Sequence, residues 1–152
     1  MWLSTKGRYA LRAMLELALH NEGYLVSVSE ISKNQEITSQ YIEQLMVKLK
    51  RAGLVESVRG PAGGYRLIKR PSEITAGDIV KTLEGYVDPV FCINPKVSHK
   101  DCHRAPECAA RLLWKKVGEK VSEVLDSTTL EDLVKMDKEL KKGVTIYPGE
   151  VV

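Results

Sequence analysis

The 152-residue sequence predicts a mostly α-helical fold with one small β-hairpin. Apolar residues recur at helical spacing in several segments bounded by polar caps. Only one pair of β-rich runs is present, joined by a Gly/Pro turn. The chain then ends in a long helical stretch. At 43% hydrophobic residues it can fill a core, and with 6% aromatic residues aliphatic side chains do most of the packing.

The first helix runs from about Ser4 to His20, with Ala10, Leu11, Met14, Leu15, Ala18 and Leu19 at helical spacing. Asn21-Glu22-Gly23 stops it, and Leu25-Val26 follows as a short extended piece. Ser27-Val28-Ser29-Glu30 has the form of a capping box and opens a short second helix through Asn34. The third helix follows Ile37, with Thr38 as N-cap. Its Ile42, Leu45, Met46 and Leu49 form one buried stripe, Lys48, Lys50 and Arg51 load its last turns, and Gly53 ends it. Leu54, Val55 and Val58 lead into Arg59-Gly60-Pro61-Ala62-Gly63-Gly64, and Tyr65, Leu67 and Ile68 return as the second arm of a hairpin. After a break at Arg70-Pro71-Ser72, Thr75-Ala76-Gly77-Asp78 opens a fourth helix that ends near Gly85. Residues 86 to 105, with Pro89 and Pro95, read as an irregular loop. Pro106 suits the first position of a long fifth helix to about Leu125. Thr129-Leu130-Glu131-Asp132 caps a sixth to about Leu140, and the tail after Gly143 reads as loose.

A short helix, a tight turn through Asn34–Ile37 and a longer helix make a helix-turn-helix, and the hairpin after it makes a wing. The fold class is therefore a winged helix-turn-helix with a long C-terminal helix. The start of the third helix enters the major groove in such folds. Here that part offers Thr38, Ser39, Gln40, Tyr41, Glu43 and Gln44, most of them off the apolar stripe. Gln suits adenine, and Glu accepts from cytosine N4. Glu43 faces repulsion from phosphates, so it discriminates more than it adds affinity. Arg59 sits where the wing tip meets a narrow minor groove. The charge agrees: residues 1–70 carry 11 Lys and Arg against 6 Asp and Glu, whereas residues 71–152 carry 12 against 14. Double-stranded DNA is the expected partner. No apolar run approaches the roughly 20 residues of a membrane span, so no membrane partner is expected. Glu16 interrupts the apolar part of the N-terminal segment, which reads as an amphipathic helix and not a signal peptide. The expected location is the cytoplasm, where thiols stay reduced.

All three cysteines, Cys92, Cys102 and Cys108, lie in one polar stretch. A disulfide would leave one thiol over and is disfavoured in a reducing compartment. Structural zinc favours close Cys-x2–4-Cys pairs, which are absent, although His99 and His103 lie nearby. An iron–sulfur cluster tolerates wider spacing, and the spacing favours it over zinc. Leu112, Leu113, Val117, Val121, Val124 and Leu125 favour the fifth helix as a homodimer contact over one packed back on its own domain. The three histidines, His20, His99 and His103, form no set with a nucleophile and a carboxylate, so no enzyme is read here.

The stretches STKGRYALRAMLELAL (4–19), SQYIEQLMVKLKRAGLVESVRGPAGGYRL (39–67), ITAGDIVKTLEG (74–85), CAARLLW (108–114) and VLDSTTLEDL (124–133) resemble the IscR-like family of bacterial iron–sulfur regulators. The nitric-oxide sensor NsrR and the cysteine-metabolism repressor CymR are relatives of that family. The resemblance covers residues 2 to 135 or so, and the RGPAGGY wing is its most specific part. It implies a winged-helix homodimer on promoter DNA, with Gln40, Glu43 and Arg59 at base-reading positions and the carboxylate at 43 choosing between site classes. It implies a cluster, 2Fe–2S rather than 4Fe–4S, held by Cys92, Cys102 and Cys108, with cluster-assembly proteins as possible further partners. This chain departs from the enteric pattern at Arg111, where a histidine ligand is usual. It carries Arg8 and Arg12 where some relatives use an acidic residue of the partner's first helix. The fourth ligand stays unassigned among His99, His103, Glu107, another carboxylate and an exogenous group. The resulting expectation is a regulator, read as a repressor, that senses cluster status, redox state or nitric oxide. The alternative is a CymR-like repressor of cysteine metabolism controlled by a protein partner. The chain then divides into a DNA-binding unit (1–85), a cysteine loop (86–107), a dimerisation helix with a C-terminal helix (108–142) and a flexible tail (143–152).

Overall fold

The computed structural model describes residues 4–96 and 102–143. The elements run α1 (Thr5–Leu19), α2 (Val28–Gln35), α3 (Ser39–Arg51), β1 (Val55–Val58), β2 (Gly64–Leu67), α4 (Ala76–Glu84), α5 (Ala109–Ser127) and α6 (Leu130–Lys141). Short 3₁₀ turns lie at Pro71–Glu73, Phe91–Ile93 and Ala105–Glu107. The fold is mostly helical with a two-stranded antiparallel hairpin, as the sequence predicts.

Local caps set most boundaries. The side chains of Ser4, Ser27 and Thr38 accept from the backbone N–H groups of Lys6, Glu30 and Tyr41. Thr75 with Asp78, and Thr129 with Asp132, form full capping boxes. Ser27 caps α2 with its hydroxyl, while the Glu30 carboxylate points to His20 at 3.7 Å. Glu84 reaches back from α4 to the start of α1, where its Oε1 accepts from the N–H groups of Ser4 at 3.1 Å and Gly7 at 3.0 Å.

The core gathers around α1. Ala10, Ala13, Met14 and Leu17 meet Ile31 of α2, the predicted stripe of α3, Val26, Val55, and Ile74, Ile79 and Leu83. Leu130 joins that core, so α6 packs back on α1. The return is tied by Leu130 N–H donating to Ile74 O at 2.9 Å and Ala76 N–H donating to Thr128 O at 2.8 Å.

The hairpin pairs Val55 with Leu67 and Val58 with Gly64. Val26 adds a third edge: it exchanges both backbone hydrogen bonds with Tyr65, at 2.9 and 2.8 Å. Gly60 turns the wing at φ +117°, a conformation L side chains rarely adopt.

Two boundaries differ from the sequence reading. Pro106 lies in the 3₁₀ turn Ala105–Glu107, and α5 starts at Ala109. Ala105 N–H bonds Cys102 O at 3.1 Å, and extended backbone at Cys108 separates that turn from the helix. At the other end α5 continues to Ser127, because the hydroxyls of Ser127 and Thr128 both bond Val124 O. The Phe91–Ile93 turn gives the 86–105 loop local order. The predicted loose tail lies outside the described residues beyond Gly143.

Candidate functional site

Two surfaces hold the predicted site residues. On the first, Ser39, Gln40, Glu43 and Gln44 are exposed along the opening turns of α3, opposite the buried stripe of Ile42, Leu45, Met46 and Leu49. Thr38 stands just before them with its hydroxyl committed to the cap. Tyr41 is half-buried, its ring edge-on to Tyr9 with centroids 5.7 Å apart. Arg59 is exposed where β1 leads into the wing turn. Lys50 Nζ, in the last turn of α3, donates to Ser57 Oγ at 2.6 Å and links that helix to the wing strand.

A set of side chains that the sequence reading did not assign positions this surface. Glu16 of α1 is 5% exposed. Its Oε1 accepts from Asn34 Nδ2 at 2.8 Å and its Oε2 from Gln35 Nε2 at 2.7 Å. Arg12, one turn earlier, donates to the side chain of Gln35 at 3.1 Å and to its backbone carbonyl. Glu36, directly after, is left-handed at φ 54° and begins the turn into α3. Two charged side chains of α1 therefore hold the turn that leads into α3. The available signal was a carboxylate on the apolar side of an amphipathic helix, which is rarely buried without partners.

The second surface is the cysteine segment. Cys92 lies inside the Phe91–Ile93 turn, Cys102 just before the Ala105–Glu107 turn, and Cys108 is the N-cap residue of α5. All three thiols are free and half-buried. Among the described residues, no three His, Cys, Asp or Glu side chains are gathered at metal-binding spacing. His103 and Glu107 are exposed, and His99 lies outside the described residues. Arg111 donates from Nε to Cys92 O at 2.9 Å. Arg12 is engaged at the α2 turn and lies over the Tyr9 ring, 5.5 Å from its centroid. In kind, three thiols on one segment fit an iron–sulfur centre; they are one donor short of a full protein set.

The segment is joined mechanically to the winged-helix body. Gly118 of α5 is buried beneath Pro89 and Ile93. Lys81 of α4 clasps both oxygens of Asp126 of α5, at 2.6 and 2.7 Å. A Cβ on Gly77 would lie 1.9 Å from Asp126 Oδ1, so α4 and α5 approach closely there.

The Rrf2 family profile, described as an iron-dependent transcriptional regulator, matches residues 3–136. The chain belongs to the Rrf2 family. It is 40% identical to the HTH-type transcriptional regulator IscR of Vibrio atlanticus over 141 residues, 93% of this chain and 79% of that protein. It is 46% identical to the HTH-type transcriptional regulator CymR of Bacillus subtilis over 134 residues, 88% of this chain and 89% of that protein. The solved structure of that CymR, described as the global cysteine regulator, superposes with a TM-score of 0.75, covering 90% of this chain and 98% of CymR. The structure of T. potens IscR also gives 0.75, at 38% identity, covering 93% of this chain and 91% of that one. This Rrf2 protein is thus a winged-helix transcriptional regulator and not an enzyme, with both IscR and CymR among its relatives. Among the described residues no helix is long and apolar enough to cross a membrane.

Proposed function

We propose that this Rrf2 regulator binds promoter DNA as a homodimer in the cytoplasm, acts as a repressor, and reads iron–sulfur status through Cys92, Cys102 and Cys108. The observation that carries the sensing role is the placement of three half-buried thiols on the segment that leads into α5. When bound, a cluster of the 2Fe–2S type would supply a redox-active and labile centre there. The protein's own parts supply the rest. Thr38 fixes the start of α3, and Ser39, Gln40, Glu43 and Gln44 present donors and acceptors to base edges. Tyr41 braces the helix against Tyr9 at the same end. Arg59 supplies a cation for the minor groove. A change in how the cysteine segment sits on α5 reaches α4 through Lys81 and Asp126, and α4 packs on α1 and α3. In a dimer that changes the spacing of two recognition helices, and half-sites must lie about one DNA turn apart.

The functional division follows: residues 1–85 read DNA, 86–107 carry Cys92 and Cys102, and 108–142 begin with Cys108 and join the copies. A second reading rests on the 46% identity to B. subtilis CymR. On it, the chain represses cysteine metabolism under control of a protein partner and needs no cluster.

Anaerobic purification separates the two. Iron and sulfide in near-equal amounts, an electron paramagnetic resonance signal on reduction, and altered site choice in the Cys92→Ala, Cys102→Ala, Cys108→Ala triple variant are the expected results. Colourless, iron-free protein with the same DNA affinity in the triple variant overturns cluster sensing and favours the second reading.

A further inference from the structure

Arg111 is bonded to two of the three cysteine positions at once. Its backbone N–H donates to Cys108 O at 3.1 Å within the first turn of α5. Its side-chain Nε donates to Cys92 O at 2.9 Å, across 19 positions of the chain. A second anchor lies two turns further along α5. A Cβ on Gly118 would stand 3.1 Å from Pro89 Cδ and 3.2 Å from Ile93 Cδ1, so the residues flanking Cys92 sit directly on the helix surface. The first cysteine is thus fixed to α5 by one polar and one steric contact, and the third cysteine is the N-cap residue of the same helix.

A guanidinium stays charged and has no lone pair for a metal. Its planar fork makes directional, charge-assisted hydrogen bonds to oxygen and loses less freedom in doing so than an ammonium on a flexible stem. At this position it is built to hold the backbone of a cysteine and not to ligate. We propose that Arg111 is a positioning residue that straps the backbone of Cys92 to the start of α5, so that Cys92 has less freedom relative to Cys108 when the thiols gather around a thiophilic metal centre. The proposal rests on the thiol-site reading and deepens it: the strap fixes where the Cys92 backbone sits on α5, and gathering the thiols is left to the metal.

The test uses full-length, reduced, iron-free protein as wild type, Arg111→Ala and Arg111→Lys. Hydrogen exchange over residues 90–96 reads the strap, because Ile93 N–H and Asn94 N–H bond Val90 O and Phe91 O there. Titration with Co2+, followed by thiolate-to-metal absorption, reads the purpose. Arg111→Ala is expected to speed exchange in 90–96 while leaving α1 and α3 unchanged, and to weaken Co2+ binding roughly 10-fold, the usual loss when a residue orienting a ligand is removed. Arg111→Lys should fall between the two, and it carries the test if the alanine variant does not fold. Unchanged exchange over 90–96 in a protein that binds Co2+ overturns the strap alone. Wild-type protein that takes up no Co2+ overturns the thiol-site reading and the metal half of this proposal with it.

Discussion

Gly64 shows how single residues fix the wing. A Cβ there would lie 2.5 Å from Val26 O and 2.7 Å from Val26 C, backbone atoms that are themselves paired to Tyr65. Neither side can yield without breaking that pairing. Gly64→Ala is therefore expected to lower stability by about 1–3 kcal/mol, the range for overpacking, and to weaken DNA binding through a displaced wing. Urea unfolding and binding to promoter DNA measure the two effects; wild-type stability would show that the strand can shift freely. At the same scale, the sequence identified Thr38 and Thr129 as caps because a cap needs only neighbours two or three residues away. It did not assign Glu16, whose partners Asn34 and Gln35 are 18 and 19 residues distant. It gave Tyr41 to the DNA surface; the ring's contact with Tyr9 depends on how α1 crosses α3, which periodicity does not encode.

At the level of elements, the helix-turn-helix is held from outside itself. Helix α2 spans only Val28–Gln35, too short to be stable alone, and the turn after it contains a left-handed Glu36. Glu16 and Arg12 of α1 supply the missing restraint. Glu16→Ala removes the acceptor for two amides. Hydrogen bonds to a charged group contribute about 1.5–3 kcal/mol each, and the partly exposed amides recover some of that from water. The expected loss is about 2 kcal/mol. Glu16→Gln is expected to lose about half as much, because one side-chain oxygen serves one amide while its own NH2 opposes the other. Both variants should show faster hydrogen exchange across residues 32–38 than in α4. A variant with wild-type stability and exchange would mean the turn needs no support from α1. Element order and type were legible because caps, stripes and Gly/Pro turns are local. The start of α5 was not: Pro106 suits a helix start, but Ala105 bonding back to Cys102 closes a separate 3₁₀ turn first. The return of α6 onto α1 was hidden too: Leu130 and Leu133 mark an apolar face of α6, but their spacing does not say which element that face meets.

For the molecule as a whole, the question is what covers the outer face of α5. Leu113, Val117, Val121 and Val124 recur at i, i+4, i+8 and i+11 on that helix, and Leu113 and Val124 are 56% and 63% exposed. Leu112 and Trp114 extend the apolar surface toward the cysteine segment, and Lys116 and Lys120 flank the groove around Val121. The opposite side of the helix is already used, with Gly118 under Pro89 and Ile93 and Asp126 clasped by Lys81. A contiguous apolar stripe on a regular helix suits a second copy of itself, because a two-fold axis pairs the same residues from both chains. Val121→Glu combined with Val124→Glu places four carboxylates at such a seam. The variant is expected to sediment as a monomer at micromolar concentration, where the parent is expected to be a dimer, with its helical content retained because the altered residues lie outside the core. Its affinity for DNA with two half-sites should fall at least about 10-fold, while binding to an isolated half-site changes little, since the linked second contact is what a dimer adds. Sedimentation and anisotropy on the two DNAs read both effects together. A double variant that remains dimeric would move the dimer contact away from α5, and with it the route by which the cysteine segment reaches the DNA.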